Sequence, residues 1–259
     1  MYNIEWVGDR VITFESRKGN KPFVICNHIS AGTKSSMRNT FENSANQVSA
    51  HFDVGRDGSI WQYVKIEDAA WTQGLTPDMI GAAKAPVVKD MNCNPNLYMV
   101  SIEFEGYVIK DKAGNIIEEN GLDGTLTEEQ FWAGCWLHRY IMDYCNNKFG
   151  VKMDLGEYNV TGHCMVDPKR KPACPGANFP WARLRAELAV AERMTLAEYE
   201  MRISDITTGS DRKSRAFDVV LRVNSLWQKV AKNEQYADIA IDKIIQIEQF
   251  MKEKDLLLP

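Results

Sequence analysis

Three strand-like regions precede one long helical stretch, and that order constrains the fold more than any other feature of the chain. PFVICN, residues 22–27, is an apolar run of strand length that delivers His28 at its C-terminal end. AHFDV (50–54) and SIWQYV (59–64) are separated by GRDG, which is the spacing and composition of a β-hairpin. LYMVSIEF (97–104) reads as a further strand, with an interior Glu103 that packing does not explain. The helical signal is clearest in TLTEEQFWAGCWLHRYIMDYCNNKFG. There Thr127 and Gln130 have capping-box spacing, Phe131, Cys135, Leu137, Ile141 and Cys145 form a stripe, and Gly150 supplies a stop. A second helix is predicted from near Pro180 through WARLRAELAVAERM. Strands interspersed with helices imply an α/β or α+β domain over residues 1–192.

The pattern changes beyond that point. TTGSD (207–211) is a turn or linker signal. After it, Phe217, Val220, Leu221, Trp227, Ile241, Ile244, Ile245 and Ile247 recur at helical spacing. Residues 193–259 are therefore expected to form a small helical module that anchors the protein to a surface, pairs two copies as a homo-oligomer, or packs on the first domain.

With 44% hydrophobic residues and a net charge of −4, the chain has enough apolar content for a substantial core and no global basic field of the kind nucleic acid attracts. No window offers about 18 consecutive apolar residues, and the first twenty residues have no apolar core behind a basic start. The expectation is a soluble chain with no export signal and no membrane insertion. Six cysteines without a CxxC pair fit reduced thiols, most of them packing as small hydrophobes.

The segment TGHCMVDPKRKPACPG sets His163 and Cys174 eleven positions apart. Two such donors are weak evidence alone, because a catalytic zinc site takes three protein ligands and leaves one position open. Among the other three histidines, His138 lies within the long helix and reads as a core or helix-face residue. His51 lies in the hairpin, where it would line a cleft or bond within the sheet. His28 ends a buried strand beside the loop ISAGTKSS and is the best placed to face a pocket.

Taken in order, FVICNHIS, SAHFDVGRDGSIWQYV, AAWTQG, VSIEFEG, TEEQF and TGHCMVDPKRKPACPG resemble successive motifs of the zinc-dependent N-acetylmuramoyl-L-alanine amidases of the type-2 family, related in fold to peptidoglycan recognition proteins. The resemblance runs from about residue 22 to 176. It implies a mixed β-sheet flanked by helices, one zinc ion held by His28, His163 and Cys174, and bacterial peptidoglycan as the partner. It also implies Glu103 as the proton-transferring base, with Glu105 two residues on as the competing carboxylate. Lys171 would face the developing oxyanion. That lysine stands three residues before Cys174 where relatives have two, so Arg170 and Lys169 are its substitutes. His51, Trp61 and Trp71 would contact sugar or peptide. Some phage members place a tyrosine before the hairpin histidine, where this chain has Ala50, and many relatives have histidine where it has Thr72. Cys26, on the same strand face as His28, would pack beneath the metal. The function implied is a wall-lysing endolysin, released from the cytoplasm where it is made; the alternatives are a muropeptide-recycling amidase and a non-catalytic peptidoglycan-binding protein.

Overall fold

The computed structural model describes residues 2–208. The chain divides into two compact units, Met1–Tyr199 and Glu200–Pro259. The helical pattern expected beyond residue 208, with any role in anchoring or oligomerisation, lies outside the described residues.

In chain order the strands are β1 (Ile4–Trp6), β2 (Phe14–Ser16), β3 (Val24–Ile29), β4 (Phe52–Val54), β5 (Ile60–Gln62), β6 (Asp68–Ala70), β7 (Met99–Phe104), β8 (Tyr107–Lys110), β9 (Ile116–Asn120) and β10 (Val160–Gly162). The helices are α1 (Lys34–Glu42), α2 (Pro77–Ile80), α3 (Pro86–Met91), α4 (Glu128–Phe149), α5 (His163–Val166), α6 (Trp181–Ala191) and α7 (Leu196–Thr208). Among the described residues, six strands form one mixed sheet in the order β1-β5-β4-β7-β3-β10. Only the β4–β5 hairpin runs antiparallel within it; its other pairings are parallel. The fold is thus the mixed α/β arrangement, a central sheet with helices around it. Among the described residues no helix is long and apolar enough to cross a membrane.

The strands at the centre of the sheet read as near-continuous apolar runs because both their faces are covered. Val24, Ile25 and Cys26 on β3 and Met99, Val100 and Ile102 on β7 are fully buried. Polar residues interrupt those runs at Asn27, His28, Ser101 and Glu103, and each interruption marks a place where packing gives way to hydrogen bonding or to the site.

Thr127 caps α4 as its spacing predicts, its hydroxyl accepting the Gln130 backbone N–H at 3.0 Å. The reciprocal half of the box is missing. The Gln130 side chain instead donates to the carbonyls of Val54, at 3.0 Å, and Glu105, at 2.9 Å, which docks the helix start onto the ends of β4 and β7. Gly150, at φ 66°, closes the other end. All five residues of the predicted stripe are buried, and His138 is a core residue whose Nδ1 donates to the Gly134 carbonyl at 2.7 Å.

The second helix stops at Ala191, short of the predicted Met194. Its successor opens on a true capping box. Thr195 Oγ1 accepts the Glu198 N–H at 3.3 Å and Glu198 returns a carboxylate to the Thr195 N–H at 2.8 Å.

Candidate metal centre and cleft

The parallel pairing of β3 with β10 sets Asn27 opposite Gly162. The next residue of each chain segment is a histidine, so His28 and His163 emerge side by side at the carboxyl ends of neighbouring strands, the usual position for a site in an α/β sheet. Their ring centroids are 4.5 Å apart. Cys174 reaches them from the loop after α5. It is anchored there by its carbonyl, which accepts the Cys164 N–H at 2.7 Å, and by its sulfur, which accepts the Ile29 N–H at 3.4 Å.

Two glycines make that approach possible. A Cβ on Gly162 would fall 2.8 Å from the Pro175 ring and 2.9 Å from Trp181. One on Gly176, at φ 116°, would fall 2.3 Å from the Asp123 carbonyl oxygen. The glycines of TGH and CPG therefore serve the close passage of one loop over another.

One ligand atom from each of His28, His163 and Cys174 lies within 4.8 Å of the others. The donor set suits a metal in two ways. The Nε2 of His163 is buried without a hydrogen-bond partner among the described residues, which leaves its lone pair open. Two imidazoles and a thiolate are also a donor combination that zinc accepts. The surroundings hold all three donors neutral. Burial first, then the neighbouring ring and Lys171, drives His28 well below its ordinary range. Burial and Lys171 bring His163 to about 4. Burial, reinforced by Glu103, pushes the Cys174 thiol up to about 12. A cation entering here would displace the thiol proton.

Glu103 faces the same space. It pairs in register with His28 across β3–β7, and its Oε1 lies 3.9 Å from His28 Nδ1, with the side chain 13% exposed. Burial pushes it up to about 8; Asp53 adds to that rise and Lys171 opposes it. Glu105 has a different occupation. Its carboxylate accepts the backbone N–H groups of Lys34 and Arg56, both at 2.9 Å, and so ties α1 and the hairpin turn to the end of β7.

These groups line a cleft of about 580 Å³ that runs from the three donors past Ser49 and Thr72 to Met37 and Phe41 on α1. Lys171 and Arg170 stand on its rim. Arg170 is committed elsewhere, its Nε to Asp167 at 2.5 Å and its Nη2 to the Gly74 carbonyl at 2.7 Å. Lys171 is the cation whose charge acts on Glu103, His28, His163 and Cys174. Lys169 is exposed and does not line the cleft.

The three expected substrate contacts do not line it either. His51 is 1% exposed, its Nδ1 accepting the Ser101 N–H at 3.0 Å and its Nε2 lying 3.0 Å from both Arg17 Nη2 and the Asp68 carbonyl. It is a core histidine, brought to about 3 by burial and by Arg17. Trp61 stands on β5, where its indole donates to Glu5 at 2.8 Å and Lys34 lies 4.0 Å over its ring. Trp71 gives its backbone N–H to the Ser49 hydroxyl at 2.9 Å. Other residues occupy the cleft instead. Thr72 lines it, with its hydroxyl given to the Ser49 carbonyl at 2.7 Å, and behind it Gln73 reaches His28. Cys26 packs beneath the cluster and donates its thiol to Gln73 Oε1 at 3.5 Å.

Residues 18–177 match the family described as N-acetylmuramoyl-L-alanine amidase. Among curated proteins, the chain is 30% identical over 140 residues to the 1,6-anhydro-N-acetylmuramyl-L-alanine amidase AmpD of Citrobacter freundii, covering 54% of this chain and 57% of that protein. The protein of the same name from Escherichia coli K12 is 30% identical over 141 residues, with the same coverage of 54% and 57%. The chain thus spans little more than half the length of these relatives. Among solved structures, the endolysin N-acetylmuramoyl-L-alanine amidase LysCS from Clostridium intestinale aligns with a TM-score of 0.47 at 19% identity, covering 73% of this chain and 97% of that one.

Proposed function

The chain belongs to the N-acetylmuramoyl-L-alanine amidase family, and from that premise we propose that it hydrolyses the amide joining N-acetylmuramic acid to L-alanine, using one zinc ion held by His28, His163 and Cys174. The observation that carries the reading is the meeting of three ligand donors and one largely buried carboxylate at the end of a single cleft.

A bound zinc ion would supply Lewis acidity to the scissile carbonyl and acidify the attacking water. The chain's own groups do the rest. Glu103 Oε1 is positioned to take the proton of that water and return it to the departing alanine nitrogen, an amine too basic to leave unprotonated. Its raised pKa suits the second, donating half of that task. Lys171 places a positive charge where the carbonyl oxygen gains negative charge. The cleft that continues toward Met37 and Phe41 gives the peptide or sugar a partly apolar floor.

The curated relatives bear the name of a 1,6-anhydro-muramyl substrate, which supports a soluble muropeptide over the intact wall as the molecule cleaved. The endolysin expectation shares the bond and the residues but has less behind it. Rates on a soluble anhydro-muramyl peptide and on intact sacculi, compared at equal concentrations of muramoyl-alanine bonds, decide between them. Faster release of alanine amino termini from the fragment is expected. Equal or faster release from sacculi would return the reading to wall lysis.

A further inference from the structure

Gln73 touches His28, one histidine of the proposed ligand set. It is 1% exposed, and its backbone is pinned by Asn96, whose Oδ1 accepts the N–H groups of Thr72 and Gln73 at 3.3 and 2.9 Å.

His28 is the ring that Gln73 meets. Its Nδ1 is turned toward the cluster, 4.0 Å from Cys174 Sγ, while its Nε2 lies 3.3 Å from the Gln73 side-chain nitrogen. For Nδ1 to offer a lone pair, the proton of the neutral ring must sit on Nε2, and a buried N–H needs an acceptor. The group at hand is the Gln73 amide. With its oxygen on the Cys26 thiol the amide presents N–H to His28, which suits the tautomer that cannot ligate through Nδ1. A half-turn of the amide exchanges the two ends and presents oxygen to His28 Nε2–H, with the loss only of a weak thiol contact.

We infer that Gln73 is a positioning residue of the metal centre, holding His28 through its side-chain oxygen so that this ring ligates through Nδ1. The inference rests on the ligand set proposed above, and it adds a residue supplied by the AAWTQG turn, 45 positions from that histidine in sequence.

The test uses the full chain loaded with zinc and labelled with nitrogen-15 in its histidines. Long-range proton–nitrogen correlation should find the proton of His28 on Nε2; a His28 proton on Nδ1 would overturn the inference without any substitution. In parallel, Gln73→Met, similar in size but without an acceptor, should weaken zinc binding in a chelator competition by about 10- to 100-fold. Gln73→Glu, which restores an acceptor, should stay within a few-fold of the parent. The visible spectrum of the cobalt-substituted protein should change in Gln73→Met and not in Gln73→Glu. Equal zinc affinity in the parent and Gln73→Met would sink the role of Gln73 alone, whereas a parent that binds no zinc would remove the metal centre and the inference with it.

Discussion

Asp53 offers a sharp test of the electrostatics beneath the cleft. It sits on β4 in register with Glu103 on one side and Trp61 on the other, fully buried. Tyr63 donates to its Oδ2 at 2.5 Å, and Lys34 Nζ stands 3.7 Å from its Oδ1, which accepts no hydrogen bond among the described residues. Burial pushes its carboxyl from 3.8 to about 7, with Lys34 and Tyr63 opposing the rise. The folded chain therefore binds this proton more firmly than the unfolded chain does. Its contribution to stability is fully present below 3.8 and is lost as the pH climbs through about 7. The difference corresponds to about 4 kcal/mol. An amide at this position cannot titrate and still accepts from Tyr63, so Asp53→Asn should gain on the parent by up to about 4 kcal/mol between acid and mildly alkaline pH. Urea unfolding of the chelator-treated proteins at intervals across that range measures it. A gap between the two proteins that stays constant with pH, or moves against the variant as pH rises, would refute the argument.

Other perturbations separate holding the metal from doing the chemistry. Cys174→Ala should lose bound zinc and activity together, read by metal analysis after gel filtration. Glu103→Gln should keep its zinc and slow turnover by about 10²- to 10⁴-fold, the range for removing a general acid–base group; a variant as fast as the parent would take Glu103 out of the mechanism. Thr127→Ala removes the cap of α4 and a second bond to the Arg56 carbonyl, at 2.5 Å, and should cost about 1–2 kcal/mol in urea unfolding with no change in zinc content.

The parts of the fold legible in the sequence are those fixed by local rules. β3, β7 and the hairpin follow from apolar runs and turn residues, and α4 from its cap, stripe and glycine. The short elements are not visible there. β1, β2 and β6 have three residues each, too few for a period, and exist because partners distant in sequence complete their hydrogen bonds. Gln130 shows the limit of a local motif, since the capping-box spacing is right but the two carbonyls at the strand ends draw its amide away from the helix.

The site divides the same way. His28, His163, Cys174, Glu103 and Lys171 sit in motifs that name them, and the structure brings all five to one cleft. His51 is also in a motif, yet the fold commits it to Arg17 and the Ser101 backbone, a use no spacing announces. Trp61 shares that lesson, because its indole is given to Glu5 on the strand next door. Gln73 is hidden for the opposite reason: nothing in AAWTQG says that its amide would meet a histidine delivered by another strand.

The most direct test of the central claim is to incubate the protein with a soluble muramoyl peptide, first stripped by chelator and then restored with zinc, and to identify the released ends by mass spectrometry. The account predicts free L-alanine amino termini and an intact sugar, appearing only after zinc is restored. Zinc bound in one-to-one proportion with no such termini formed would contradict it.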